Sequence, residues 1–322
     1  MIQITAISSS YRISQLWQTL WKSHAPLATF SAFAALLTVF FLAGVILDPR
    51  YITGAPAWMK PLKFAVSILI YSLSMIWMLS HLPRSRLKTI ASNTIIAMLA
   101  GELLVIGVQA ARGLQSHFNV ATLLDGALFS IAGVMISVLW GANLLLAIAL
   151  LRQPMINAPM GLALRASLVI AMIGMALAFL MTSPTAQQLA SWHAGAPIVV
   201  SGAHTVGAID GGAGLPVTGW STQSGDLRVG HFVGLHALQI LPLLAWLLSS
   251  TILSAARRSR LIAIAGAYYL AITLLLTWQA LRAESIVAPS NLTVSVFSAL
   301  TVLAALGTAF ALRPDPQAAK SA

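Results

Sequence analysis

The sequence predicts an all-α, polytopic transmembrane helical bundle of about eight spans, with a long ordered outer loop between spans five and six. Three observations lead there. The chain is 58% hydrophobic and only 8% charged, whereas a soluble domain carries roughly 25% charged residues. So few charges cannot cover a water-facing surface, and lipid must be the solvent. Apolar stretches of about 20 residues, the length that crosses a bilayer, recur along the chain without the alternation of barrel strands. Finally, the stretch from Trp192 to Pro242 gathers four of the seven histidines, two of the seven acids and a run of glycines among greasy segments.

The composition also closes off other classes. The chain has no cysteine, which removes a disulfide framework and thiolate metal ligation. Its net charge of +11 does not mark a nucleic-acid surface. The basic residues stand singly or in pairs at the ends of apolar segments, as topology signals do. The N-terminus lacks the shape of a signal peptide, because its first apolar run is too long and no small-residue cleavage site stands out. One integral membrane domain over 1–322 is expected, with an N-terminal interfacial segment at 1–27, an outer capping loop at 184–230 and a cytoplasmic tail at 313–322.

In chain order, YRISQLWQTLWK at 11–22 places Ile13, Leu16, Trp17, Leu20 and Trp21 at helical spacing. This predicts a short helix on the membrane surface with its tryptophans at headgroup level. Spans follow at about 28–47, 63–82, 90–111, 122–150, 162–183, 231–251, 261–281 and 292–312. The fourth is long enough to tilt or to extend past the bilayer. With the N-terminus inside, the inner segments hold twelve lysines and arginines and the outer ones six. That bias predicts both termini in the cytoplasm and the long loop outside. Asp48, Asp125, Asp210, Asp226 and Glu284, with His117, His193, His204, His231 and His236, fall at or toward the outer side, where the chemistry is expected. No strong internal repeat is visible, since the long loop has no counterpart in the first half.

Polar stripes mark the candidate site. Lys60, Lys63, Ser67, Tyr71 and Ser74 share one face of span two, although lysines at a span end also snorkel to headgroups. Glu102, Gln109 and Arg112 lie within about a quarter-turn of each other on span three. An ionisable group at the bilayer centre costs roughly 2.5–3.5 kcal/mol on insertion scales, so Glu102 must be neutral, paired or hydrated and face the bundle interior. Asp125 opens span four, where the helix dipole favours a carboxylate. His117 and Asn119 occupy the short loop before it. On span six, His231 and His236 point about 140° apart, whereas His236 and Gln239 share a face and Pro242 permits a kink. Gly211, Gly212 and Gly214 allow positive φ, either for a tightly folded cap or for backbone amides that cup an anion.

The pieces WMKPLKF, QSHFN, DGGAGLP, GWST and GDLRVGHFVGLHALQ, within about residues 50–245, resemble an uncharacterised family of bacterial multi-span membrane proteins. The resemblance implies a bacterial integral membrane protein and carries over no catalytic residue.

Three functions follow from the side chains. The preferred one is a metal- or haem-linked membrane oxidoreductase. His117 and His236 would be its ligands, with His231 and His204 as alternatives, because imidazoles ligate iron, copper and zinc. Against it, no i, i+4 metal spacing occurs and haem attachment through cysteine is impossible. The second is a proton-coupled small-molecule transporter that uses Glu102, Lys63, Arg112 and Asp125, because intramembrane charges mark pathways. The near absence of polar groups in the inner halves of the spans weighs against it. The third is a ligand-binding sensor or assembly factor. In each case Glu102, Asp125, Lys63 and Arg112 are the candidate reactive residues. Gln239, Asp210, Asp226 and Arg228 are the candidate substrate contacts, and a pocket holding Lys63, Glu102, Arg112, His117, Asp125, His236 and Gln239 is expected under the loop. The expected partners are the lipid bilayer and a small-molecule ligand, with no nucleic acid.

Overall fold

The computed structural model describes residues 13–155 and 157–313, and among them eight helices are long and apolar enough to cross a membrane. The helices are α1 (Ile13–Leu47), α2 (Met59–Leu79), α3 (Arg86–Arg112), α4 (Leu123–Leu151), α5 (Ala158–Leu177), the short α6 (Ala186–His193), α7 (Leu227–Ser249), α8 (Ala255–Leu281) and α9 (Asn291–Leu312). A 3-10 turn, Ala178–Met181, extends α5. All eight expected spans form. Several begin earlier than their apolar stretch because a polar side chain caps the preceding turn. Ser85 caps α3, Asn157 caps α5, Asp226 caps α7 and Ser254 caps α8. Each accepts a backbone N–H that the helix itself cannot satisfy. The added helix α6 lies within the stretch read as loop, where Thr185 and Gln188 form a reciprocal capping box.

The stretch 11–22, expected as a surface helix, is helical from Ile13 onward, while Tyr11 and Arg12 lie outside the described residues, as does the tail from 314. It is set off from the first span at His24, whose backbone is extended (φ −161°, ψ 87°). There His24 acts as an N-cap, and its Nδ1 accepts the N–H of Leu27 at 3.3 Å. Pro26 follows in the first turn, where its missing N–H costs nothing. Trp17 and Trp21 remain exposed, with ring centroids 5.7 Å apart.

The chain forms two compact units. The first takes in the chain up to Gln153 with Thr182–Ala203 and Asp210–Gly219; the second takes in Pro154–Met181, His204–Ile209 and the chain from Trp220 on. Each contains four of the long helices, α1–α4 and α5 with α7–α9. In the first unit a hairpin of β1 (Tyr51–Ile52) and β2 (Ala55–Pro56) turns through Thr53 and Gly54, both at positive φ, as a two-residue hairpin turn requires. Gly54 also lies against the carbonyl of Gly211, leaving no room for a side chain. In the second unit β3 (Thr205–Val206) pairs with β4 (Gly225–Asp226). There α5 and α7 approach closely at Gly174 and Gly234, where a Cβ on either glycine would meet the other at 2.7–2.8 Å. Small residues at such a crossing let membrane helices pack backbone to backbone. The adjoining core is Ala163, Ile170, Ala237, Leu241, Ala245 and Ile262.

The two units share a plan that the unaided sequence did not disclose. The helices α2, α3 and α4 start at Met59, Arg86 and Leu123, and α7, α8 and α9 at Leu227, Ala255 and Asn291, with an almost constant stagger. Both α3 and α8 are 27 residues long and are capped by serine. Near its end each carries Gln-Ala-x-Arg, Gln109 to Arg112 and Gln279 to Arg282, followed by a left-handed residue, Gly113 or Ala283. Asp48 with Arg50, and Asp226 with Arg228, also make the same two-residue fork. The expectation of no strong repeat holds for the long loop. It fails for these helices, because the match lies in helix lengths and end chemistry rather than in residue identity.

Candidate functional site

The clearest polar assembly lies in the first unit, where α3 ends and α4 begins. Arg112 Nη1 is 2.7 Å from Asp125 Oδ1 and 2.5 Å from Gln109 Oε1, and Gln109 Nε2 donates to the same Asp125 oxygen at 3.0 Å. The other carboxylate oxygen accepts the Thr122 hydroxyl at 2.6 Å, while Thr122 Oγ1 accepts the Asp125 backbone N–H at 3.1 Å. Asp125 is 2% exposed, yet every oxygen has a donor, which is what allows a buried carboxylate to persist. Asp125 is therefore both a first-turn helix residue and the fastener between two spans.

Glu102 is different. It is 1% exposed, seven residues before Gln109 on the same buried face of α3. Neither of its carboxyl oxygens has a hydrogen-bond partner among the described residues. Neither Arg112 nor Lys63 hydrogen-bonds to it: Arg112 is engaged with Gln109 and Asp125, and Lys63 Nζ donates to the carbonyl of Thr218 at 2.9 Å. Lys60 is the cation whose charge reaches Glu102. Ser72, fully buried on α2, likewise has an unpartnered hydroxyl among the described residues. Counted in helix rise, Ser72 lies about 20 Å into α2 and Glu102 about 15 Å from the end of α3, so both fall in the middle of their spans.

Two further contacts carry polar groups across the first unit. Tyr71 donates to Asn143 Oδ1 on α4 at 2.5 Å, and His24 Nε2 meets Ser92 Oγ on α3 at 3.1 Å. Because His24 Nδ1 accepts the Leu27 N–H, Nε2 is the ring nitrogen that carries hydrogen in a neutral imidazole. The far halves of the spans are thus less empty of polar chemistry than their composition suggested. His117 rests with Nδ1 3.0 Å from Ser116 Oγ and its ring beside Phe64 and Phe118. The adjoining backbone pairs with the long loop, Val120 N–H to Val199 O and Ser201 N–H to Phe118 O. Asp210 lies half-buried in the turn next to Gly211.

In the second unit the candidate residues serve local structure. Asp226 caps α7 through the Arg228 N–H, accepts Ser221 N–H at 2.8 Å and holds the Arg228 guanidinium at 2.9 and 2.6 Å. The ring Nδ1 of His231 is 2.7 Å from the Gly174 carbonyl, which fixes it as a donor between α7 and α5. The carbonyl of His204 accepts the Leu227 N–H where β4 runs into α7. His236 is exposed and pairs with Gln239 at 3.2 Å, on the shared face expected for them. Among the described residues no three histidine, aspartate or glutamate side chains gather as a metal ion would require.

Comparison with family models, curated proteins and solved structures finds no match. Function is therefore argued from side chains alone, and some of the most telling ones were not among the candidates. Asp48 accepts Arg50 and the Trp58 indole N–H at 2.8 Å, and Trp58 stacks on Phe41. The Arg50 guanidinium, its backbone amide and the indole hold the Asp48 carboxyl well below its usual range. Glu284 accepts hydroxyls from Thr293 and Ser290 and the Arg282 guanidinium, and these donors, Thr293 foremost, pull its pKa down to about 2. The sequence signal was an acid two residues before or after an arginine, just past the end of a helix.

Proposed function

We propose that this integral membrane protein is a proton-coupled carrier of small molecules and that Glu102 is the group that holds the proton. The observation carrying this reading is the mid-span carboxyl that is 1% exposed with neither oxygen hydrogen-bonded among the described residues. A structural carboxylate in such a place would be fully satisfied, as Asp125 is. An unsatisfied one is costly and marks a pathway or an exchanging ligand. The comparison of the two units points the same way. In the register that aligns Gln109 with Gln279, the position of Glu102 is occupied by Ile272, so the carboxyl is an addition to a shared scaffold. Protonated, Glu102 is neutral and tolerable in the span. Deprotonated, it needs a balancing cation, and Lys60 is in range.

The same reading places the protein in a bacterial inner membrane with both termini in the cytoplasm, as the twelve-to-six basic bias favours. A metal or haem centre has less support, because His117 and His236 each engage a neighbouring side chain through Nδ1.

A pH jump applied to the protein reconstituted on a solid-supported membrane tests the proposal. The parent and Glu102→Asp should give a transient charge displacement, and Glu102→Gln should give none. A transient of parental size in Glu102→Gln would overturn it.

A further inference from the structure

The buried face of α3 runs Ser92, Ile95, Leu99, Glu102, Ile106, Gln109, alternating steps of three and four residues, which keeps them on one stripe. Its three polar residues have different fates. Ser92, near one end, is joined to His24 of α1. Gln109, near the other, joins Arg112 and Asp125 of α4. Glu102 lies between them without a hydrogen bond among the described residues. Each end is also tied by a second contact. Lys88 Nζ donates to the carbonyls of Leu79 and Leu82 at the end of α2, and Arg50 Nη1 donates to the carbonyl of Ala111. Thus α3 is fastened to different neighbours at its two ends and is unfastened at the level of its buried carboxyl.

We propose that these two clasps are the two gates of the Glu102 site: Gln109–Arg112–Asp125 closes the approach from the side of the long loop, and His24–Ser92 closes it from the opposite side. The inference rests on the proton-carrier reading and adds how access to that carboxyl is controlled. In helix rise, Gln109 lies about 10 Å from Glu102 and Ser92 about 15 Å, so each clasp stands one to three turns away, between the carboxyl and one end of the span. A carrier must open these approaches one at a time, and fasteners to two separate helices can be released separately. Both are made of hydrogen bonds of ordinary strength, with one ion pair whose arginine is 32% exposed. Such bonds can open without unfolding the unit.

The chain contains no cysteine, so single reporters are clean. Ile106→Cys and Leu99→Cys flank Glu102, and both positions are buried in the parent. Each is labelled with a membrane-impermeant thiol reagent applied from one side of sealed vesicles carrying the full chain. Asp125→Asn should raise the labelling rate of Ile106→Cys from the loop side by about tenfold, the effect of roughly 1.4 kcal/mol on the gate, and leave Leu99→Cys protected from the other side. Ser92→Ala should do the reverse. Asp125→Glu should restore protection of Ile106→Cys. If Asp125→Asn does not fold, Arg112→Lys, which keeps the charge but loses the fork, serves in its place. Unchanged protection in both variants, or equal opening of both sides by either one, would overturn the proposal. Selective opening with a pH-jump transient that survives Glu102→Gln would retain the gates and discard Glu102 as the proton site.

Discussion

Gln109 and Gln279 play the same part in the two units. Each donates its side-chain amide to the backbone carbonyl six residues on, Gln109 to Gln115 at 3.5 Å and Gln279 to Ser285 at 2.8 Å. Each closes a helix end behind a left-handed residue, with Gly113 N–H on Ala110 O and Ala283 N–H on Ala280 O. Both glutamines are buried, so neither side-chain amide has ready access to water. Replacing either by leucine should cost roughly 1–3 kcal/mol, the penalty for leaving a buried polar group unsatisfied. The Gln109 variant should be hit harder, because it also loses Asp125 and Arg112. Thermal unfolding in detergent, followed by tryptophan fluorescence, measures both.

The Arg112–Asp125 pair should respond unequally to removal of its partners. Asp125 is 2% exposed and Arg112 side chain 32%. Arg112→Leu strands a buried carboxylate and should destabilise strongly, by about 3–5 kcal/mol. Asp125→Asn keeps the size and some hydrogen bonding and leaves a cation that water can reach, so it should cost less. Equal losses in the same unfolding assay would mean that the burial of Asp125 does not govern the energetics.

Acid should weaken the second unit through Glu284. Its pKa in the folded chain is about 2, against an ordinary 4.5. A depressed carboxylate contributes stability above its unfolded value and loses it as pH falls through the folded one. The loss attributable to Glu284 therefore develops between about pH 4.5 and 2. Glu284→Gln should be less stable than the parent at neutral pH and should show a shallower decline in that window. Asp48, also held low, should give the same sign in the first unit.

The architecture was largely legible because lipid imposes a simple code. Apolar length gave the eight spans, while the caps Ser85, Asn157, Asp226 and Ser254 start four helices earlier than that length implied. The site was legible only in part. Span-three periodicity put Glu102, Gln109 and Arg112 within about a quarter-turn of each other and turned Glu102 toward the bundle interior. It could not show that Asp125, on the next helix, takes Arg112, nor that Lys63 turns to a loop carbonyl. Ser92 and His24 are 68 residues apart, and nothing in the spacing of a lone serine or histidine reports so distant a partner. The shared plan of the two units escaped notice because apolar helices tolerate nearly any exchange of leucine, isoleucine and valine. Only the short polar ends, QAAR and QALR, preserve the register.

The orientation rests on the basic-residue bias and can be tested directly in the cysteine-free chain. Ser221, although in the long loop, is a poor reporter: it is 9% exposed and its N–H and hydroxyl are engaged with Asp226, Gln223 and Ser224. Gln223, two residues on, is exposed, as is Ala256 at the start of α8, just before Arg257, Arg258 and Arg260. If the positive-inside bias sets the topology, Gln223→Cys should react with an impermeant thiol reagent added to intact cells. Ala256→Cys should react only after the membrane is opened. Both residues belong to the second unit, so the pair reports on that unit whatever the first one does. Arg50→Cys and Arg86→Cys repeat the measurement on either side of α2 in the first unit, and should label in the same sense, outside and inside respectively. The opposite pattern in both units would turn the whole chain over and place the long loop, with the Arg112–Asp125 clasp, in the cytoplasm.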